Sequence, residues 1–326
     1  MEFITDKKDW NRTAIENNGQ FLQSWEWGDL QEKIGRSIWR VRAGNIQALL
    51  IKYPLPLGRS YLYCPAGPLV LNPNAGFAYN WKSFAKAIKK DLPNFGQIFL
   101  KIEPWNPKID VSEIEKFGLI KSRPLQPDLT RIIETNGTEE EILRRMEHDT
   151  RYAIKTAEKR GVAVSIFDNN EEKEMMFEEF WKVFDNTNKR QGLKRHSKDY
   201  YKLVTLLDGD CQSKLFISKI GDKIVNAAIV VYFGKTAFYL YAASESGFGR
   251  FNAPSLTLWK IIMDAKRLGM NVLNTGGISH IKKSMAGITA FKKSFGGYEV
   301  AYPGAWDLPL KKNWYAFYRI ARLFKG

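Results

Sequence analysis

Three histidines (His148, His196 and His280) and two cysteines (Cys64 and Cys211) are the chain's whole supply of imidazole and thiol. None stands in a recognisable Ser-His-Asp or Cys-His pattern, so a covalent acyl-enzyme is not indicated. No His, Cys and carboxylate cluster has metal-ligand spacing, and no cofactor is implied. Positive charge is the chemistry on offer. Arg144, Arg145, Arg151, Lys155, Lys159 and Arg160 crowd one expected helix. They could line a track for a phosphate backbone, contacts that position a polymer without reading its sequence. The alternative is a solvated helix face. Gly247-Phe248-Gly249-Arg250-Phe251-Asn252-Ala253-Pro254 lies ahead of another helix, where free backbone N–H groups could meet a pyrophosphate. Its glycines lack the spacing of such a loop, and Pro254 removes one donor.

These side chains need elements to hold them, and the chain is long enough for two domains. It has 326 residues, 44% hydrophobic and 26% charged. The first fifteen residues carry charges throughout with no apolar core of a signal peptide, and no apolar run of membrane-spanning length occurs. With two isolated thiols, this favours a reducing cytoplasm. Fifty Lys+Arg against thirty-five Asp+Glu give +15, an excess that attracts polyanions.

The two halves resemble each other. A strand Trp39–Arg42, a Gly44-Asn45 turn and a return Gln47–Lys52 read as a hairpin, as do Leu215–Lys219, Gly221-Asp222 and Ile224–Phe233. Each is followed by an aromatic strand (Tyr61–Tyr63; Phe238–Tyr241), a helix opening on Trp-Lys (Trp81-Lys82; Trp259-Lys260) and a further strand (Ile98–Ile102; Val272–Asn274). Hairpin, strand, helix, strand is the order of the GNAT-type acyltransferase core, so an α/β (α+β) chain with a duplicated core is expected. A Thr138-x-x-Glu141 capping box opens a helix expected to run to Gly161, with Ile142, Met146, Tyr152 and Ala157 on its apolar stripe. The domain boundary is expected at Asn136-Gly137: residues 1–136 plus 304–326 in the first domain, 137–303 in the second. Further helices are expected at Glu172–Lys189 and Lys198–Leu207.

Thr150-Arg151-Tyr152-Ala153-Ile154-Lys155-Thr156-Ala157-Glu158-Lys159-Arg160-Gly161-Val162 resembles the Thr-Arg-Tyr-x-Ile-Lys-x-Ala-x-Lys-x-Gly-Val signature of the FemABX family. So do Phe291-Lys292-Lys293-Ser294-Phe295-Gly296-Gly297, Ala253-Pro254 through Trp259 to Gly276-Gly277-Ile278, Gln23–Trp27, and Tyr302-Pro303-Gly304 with Trp306-Asp307, all in family order. The resemblance implies two GNAT-like domains, the C-terminal segment returning to the first, without the helical arm that many members carry. It implies an aminoacyl-tRNA-dependent transferase acting on a peptidoglycan precursor, either lipid II or a UDP-MurNAc-peptide. A stem-peptide amine would attack the ester joining amino acid to tRNA. That ester is already activated, so the protein has mainly to orient the pair and stabilise an oxyanion.

The resemblance also assigns residues. Phe291 and Lys292 match the pair beside the transferred acyl group, where a fixed cation could hold the tRNA end or polarise the carbonyl. Arg195, with His196 as the alternative at that position, and Tyr200 match residues that bind the muropeptide phosphates, and an Arg fork suits a pyrophosphate. Tyr241 matches an aromatic position of the acceptor site. Glu103 stands where the family tends to carry Asp before Pro. Gln31 stands where a lysine contacts nucleotide phosphates, with Lys33 or Arg36 as substitutes. Arg144, Arg145, Arg151, Lys155 and Lys159 would meet tRNA. The aromatic, basic stretch Lys311–Lys325 could graze an anionic membrane or pack on its own domain; a monomer is expected. The rival readings are an acyl-CoA-dependent N-acyltransferase on the same fold and a non-catalytic protein binding RNA or a membrane surface.

Overall fold

A computed structural model describes residues 1–71, 77–192 and 195–323, which divide into two units: residues 1–128 with 301–326, and residues 129–300. Phe324 and Lys325 of the expected C-terminal stretch lie outside the described residues.

The first unit opens with β1 (Glu2–Phe3), α1 (Lys7–Glu16) and α2 (Trp25–Lys33). The hairpin β2 (Ile38–Ala43) and β3 (Ile46–Leu55) follows, then β4 (Arg59–Cys64) and β5 (Leu69–Val70). After these come α3 (Phe77–Asp91), β6 (Gln97–Ile102), α4 (Val111–Lys116) and β7 (Ile120–Ser122). The second unit has β8 (Leu129–Glu134), α5 (Glu139–Arg144), α6 (His148–Lys159), β9 (Ala163–Phe167), α7 (Asn170–Gln191) and α8 (Lys198–Thr205). It continues with β10 (Cys211–Ile220), β11 (Lys223–Phe233), β12 (Thr236–Ser244), α9 (Ala253–Arg267), β13 (Val272–Gly277), α10 (Ala286–Lys293) and β14 (Tyr298–Ala301). The chain then returns to the first unit as β15 (Ala305–Pro309) and α11 (Lys312–Leu323).

Both hairpins turn where expected, on Gly44 and Gly221, whose positive φ values of 57° and 54° suit a residue without Cβ. Among the described residues the first sheet runs β1-β2-β3-β4-β6-β15-β7 with β5 on β3, and the second runs β9-β10-β11-β12-β13-β8-β14. The two correspond strand for strand. Pairing is antiparallel up to β4 and β12; β4·β6 and β12·β13 are parallel; and an antiparallel strand follows in each. The helices expected to open on Trp-Lys begin earlier, at Phe77 and Ala253, and Trp81 and Trp259 stand inside them, buried in the cores of their own units. Cys64 and Cys211 are free thiols, both buried.

Further expectations need correction. The second unit begins at Leu129, not after Asn136, because β8 is hydrogen-bonded into the second sheet: Leu273 lies opposite Ile133. The helix expected from Thr138 to Gly161 is two helices. The capping box forms as expected, Glu141 N–H donating to Thr138 Oγ1 (3.2 Å) and Thr138 N–H to Glu141 Oε2 (2.7 Å). The helix then breaks after Arg144, and Glu147 N–H donates instead to Ser294 O (2.9 Å). Ile142, Met146 and Ala157 are buried as the apolar stripe requires, but Tyr152 is 66% exposed.

Candidate active site

β12 and β13 pair only from Thr236↔Val272 to Phe238↔Asn274. Beyond that register β12 runs on to Ser244 and β13 to Gly277 without pairing to each other, so the two parallel strands part at their C-terminal ends. That is where ligands enter open sheets containing parallel strands. Asn274 Oδ1 accepts from Gly276 N–H (2.8 Å), and Gly276 turns with φ +81°. A Cβ on Gly276 would stand 3.5 Å from Lys292 Nζ and 3.7 Å from Tyr239 O. The Lys292 amine therefore sits at the parting strands. It is 9% exposed and donates to Gly277 O (2.8 Å). Burial alone pushes its pKa down to about 8, with no carboxylate to pull it back. Phe291 packs edge-on against Phe295, ring centroids 5.3 Å apart.

The loop after α10 explains the Ser-Phe-Gly-Gly run. Gly296 and Gly297 both have φ +80°, and a Cβ on Gly297 would come within 1.9 Å of Ile132 O. Arg131 Nε–H donates to Gly296 O (2.8 Å), and Ser294 O takes the N–H freed at the helix break. The glycines let this loop press against β8 and the α5–α6 junction, which fixes α10 and with it Lys292.

A bulge divides the aromatics of β12. Tyr239 faces Val230 and Tyr241 faces Ile229, with Leu240 unpaired between them. Tyr239 consequently joins the core that contains Trp259 and Phe295, while Tyr241 turns to the face covered by α7 and α8. There its hydroxyl lies 3.4 Å from that of Tyr200, its ring 4.9 Å from Tyr201 and 5.9 Å from Phe184. Burial, then the neighbouring Tyr200, holds the Tyr241 hydroxyl un-ionised far above the usual phenol range. Arg195 is ion-paired with Asp185 and lies over Trp181 (5.4 Å), whose ring is 6.0 Å from Phe184. Arg195 and Tyr200 thus border one aromatic cluster with Tyr241, some way along the chain. Trp181, Phe184 and Tyr201 were missed. The signal for Trp181 was its position one helical turn before Asp185 on α7.

A second cluster lies in the first unit. Gln31, buried on α2, accepts from Arg36, whose guanidinium covers the Tyr53 ring at 4.3 Å. Tyr53 packs edge-on to Tyr63 (5.9 Å), and the Tyr63 hydroxyl donates to Glu103 Oε2 (2.5 Å). Gln31 and Glu103 therefore belong to one chain of contacts, whereas Lys33 points to solvent in the last turn of α2. Glu103 also accepts from Leu125 N–H and Gln126 N–H, which ties down the loop before β8. Burial raises its pKa, with Tyr63 and these N–H groups opposing. Trp105 stacks on Tyr302 at 3.7 Å, both rings lining the small cavity beside Glu103.

The sequence profile of the FemAB family matches residues 120–210 and 206–322, most of the chain. The chain belongs to the FemAB family. It is an aminoacyltransferase of peptidoglycan branch formation that draws its amino acid from aminoacyl-tRNA. No curated protein sequence matches it at a significant level. Among solved structures, the crystal structure of FemX is 18% identical, with a TM-score of 0.82 over 97% of this chain and 99% of that one. L-PGS from Bacillus licheniformis is 15% identical, with a TM-score of 0.57 over 94% and 92%. A tandem GNAT protein of the clavulanic acid biosynthesis pathway is 10% identical, with a TM-score of 0.50 over 87% and 94%. At these identities the likeness is one of fold: two GNAT-like halves in tandem.

In this FemAB chain the basic residues of α5 and α6 do not form a uniform track. Arg145 is spent on its own unit, donating to Asn136 Oδ1 (3.1 Å) and Asn136 O (3.0 Å), and Arg151 donates to Met146 O. Arg144, Lys155 and Lys159 are exposed. At the start of α9, Pro254 has no N–H, and those of Ser255 and Leu256 turn inward to Asn252 O, leaving a poor cradle for a pyrophosphate. Among the described residues no group of His, Cys, Asp and Glu could hold a metal, and no helix is long and apolar enough to cross a membrane.

Proposed function

We propose that the parted ends of β12 and β13 receive the ester end of the charged tRNA and that Lys292 is the cation acting on it. The observation that carries this reading is a buried ammonium, hydrogen-bonded to Gly277 O, at the one place where the second sheet's parallel strands separate. With a pKa of about 8 it is still mostly protonated at neutral pH, and weakly enough solvated to act strongly on a nearby anion. The stem-peptide amine, after losing a proton from its ammonium form, attacks the ester carbonyl carbon. Lys292 stabilises the oxyanion. The C–O bond to the terminal ribose then breaks, the ribose oxygen takes up a proton, and the amide remains on the acceptor.

In this reading Arg195, with Tyr200 and Tyr241 beside it, binds the diphosphate common to lipid-linked and nucleotide-linked precursors. Asp185 holds the guanidinium until phosphate competes for it. Gln31 and Glu103 bind precursor within the first unit, linked to each other through Arg36, Tyr53 and Tyr63. Arg144, Lys155 and Lys159 contact tRNA phosphates, while Arg145 and Arg151 hold the helices that carry them. The protein acts in the cytoplasm, where charged tRNA is made, as a monomer.

The test offers mixed charged tRNAs with both precursor forms and reads one-residue mass increments on the acceptor. Lys292→Ala should lower kcat roughly 10²-fold with tRNA affinity kept, and Arg195→Lys should raise KM for the precursor more than it lowers kcat. Increments supported only by acyl-CoA would sink the proposal.

A further inference from the structure

α11 is apolar on the side it has no need to bury. Its inner face packs on β6: Tyr315 and Tyr318 lie 5.3 and 4.9 Å from Phe99, and the Tyr315 hydroxyl donates to buried Asp307 (3.0 Å). Helical spacing sets Ala316, Phe317, Ile320 and Leu323 on the opposite side. Phe317 and Ile320 are each 56% exposed and Leu323 81%. Such an outward strip on an already anchored helix marks a contact surface.

The charge around it selects the occupant. After Asp307 the sequence contains no acidic residue, yet it carries Lys311, Lys312, Arg319, Arg322 and Lys325. A second exposed apolar residue stands on an element beside the helix. The β3–β4 turn holds Leu57 72% exposed in the left-handed region (φ +59°), where an apolar side chain gains nothing from its own fold. The neighbouring Arg59 guanidinium stacks on the α11 residue Trp314 at 4.0 Å, which joins the turn to the helix. Exposed Phe, Ile and Leu ringed by cations, with Trp and Tyr along the helix, match a surface that is apolar below and anionic at its head groups.

We infer that α11 and the Leu57 turn seat the first unit on an anionic lipid surface, the helix lying in the interface plane rather than crossing it. The geometry stands apart from the aminoacyl-transfer reading and rests on it only for its purpose, which is to bring the protein to a lipid-linked acceptor. Binding should combine buried apolar side chains with attraction that salt weakens.

The experiment is co-sedimentation of the full chain with phosphatidylcholine vesicles, with and without a phosphatidylglycerol fraction. The wild type should pellet with the anionic vesicles, less at high salt, and stay in solution with the neutral ones. Phe317→Glu with Ile320→Glu should lower partition by about tenfold or more at an unchanged melting temperature, because both side chains already face solvent. Lys312→Gln with Arg319→Gln should weaken binding and flatten its salt dependence. A wild type that ignores anionic vesicles, or an acidic variant that pellets as well as the wild type, overturns the inference. So does a vesicle-free dimer that the acidic variant dissociates, since that assigns the strip to a second copy. Transfer to a water-soluble nucleotide-linked acceptor should be unaffected by the acidic pair. Failure of docking alone leaves the transfer reading standing, and loss of transfer in the wild type would sink that reading instead.

Discussion

Lys292 concentrates the residue-scale argument, because the burial that makes its ammonium effective also makes it costly. Its folded pKa, about 8, lies below the value it has in an unfolded chain. Between those values the unfolded chain binds a proton that the folded one lacks, so this residue's contribution to stability rises with pH from about 8 upward and is least favourable below. Lys292→Met should therefore stabilise the protein at neutral pH, on the order of 2 kcal/mol by denaturant titration, while lowering kcat roughly 10²-fold. If the ammonium is the active form, kcat/KM should fall above about pH 8 in the wild type, and Lys292→Arg should move that fall upward. A pH profile unchanged in the Arg variant would take the cation out of the mechanism. The sequence could mark this lysine only by its neighbours in a motif; its burial depends on Gly276 and Gly277 of another strand and is invisible locally.

Elements decide which charges are free to meet a ligand. Arg145 and Lys155 look alike in the sequence, two basic residues near one helix axis. The break after α5 turns Arg145 back onto Asn136, while Lys155 stays in solvent on α6. Lys155→Ala and Lys159→Ala should each reduce the slope of log affinity for tRNA against log salt by about 1 without changing stability. Arg145→Ala should instead lower the melting temperature. The break itself is imposed from α10: its C-terminal loop accepts the Glu147 N–H and presses Gly297 against β8. Gly297→Ala, strained in φ and blocked by Ile132 O, should cost about 3 kcal/mol and reduce turnover through misplacement of Lys292. A local reading cannot see such a break, because the capping box and the continuous apolar and basic pattern all favour one long helix.

At the scale of the whole chain, the first unit is completed by a segment that follows the second in sequence. β15 lies between β6 and β7 in the first sheet, and β8 occupies the matching place between β13 and β14 in the second. β15 also brings Trp306, fully buried, and Asp307, whose carboxylate pairs with buried Lys101 at 2.8 Å. Residues 129–301 contain every described strand of their sheet and should fold alone with a cooperative melt. Residues 1–128 lack β15, which exposes the β6 edge and unpairs Lys101, and should not. Circular dichroism melts of the two fragments test this directly.

Hairpin turns, the succession of strands and helix in each repeat and the family were readable from the sequence, because each depends on residue type at short spacing. Glycine at a turn, alternation in a strand and apolar periodicity in a helix act over a few residues. The tertiary structure alone decided the helix break, the division of Tyr239 from Tyr241 by a bulge, the start of the second unit at Leu129 and which arginines are already engaged. Each of those depends on a backbone or side-chain partner distant in sequence, and only the packed chain brings the two within hydrogen-bonding or van der Waals reach.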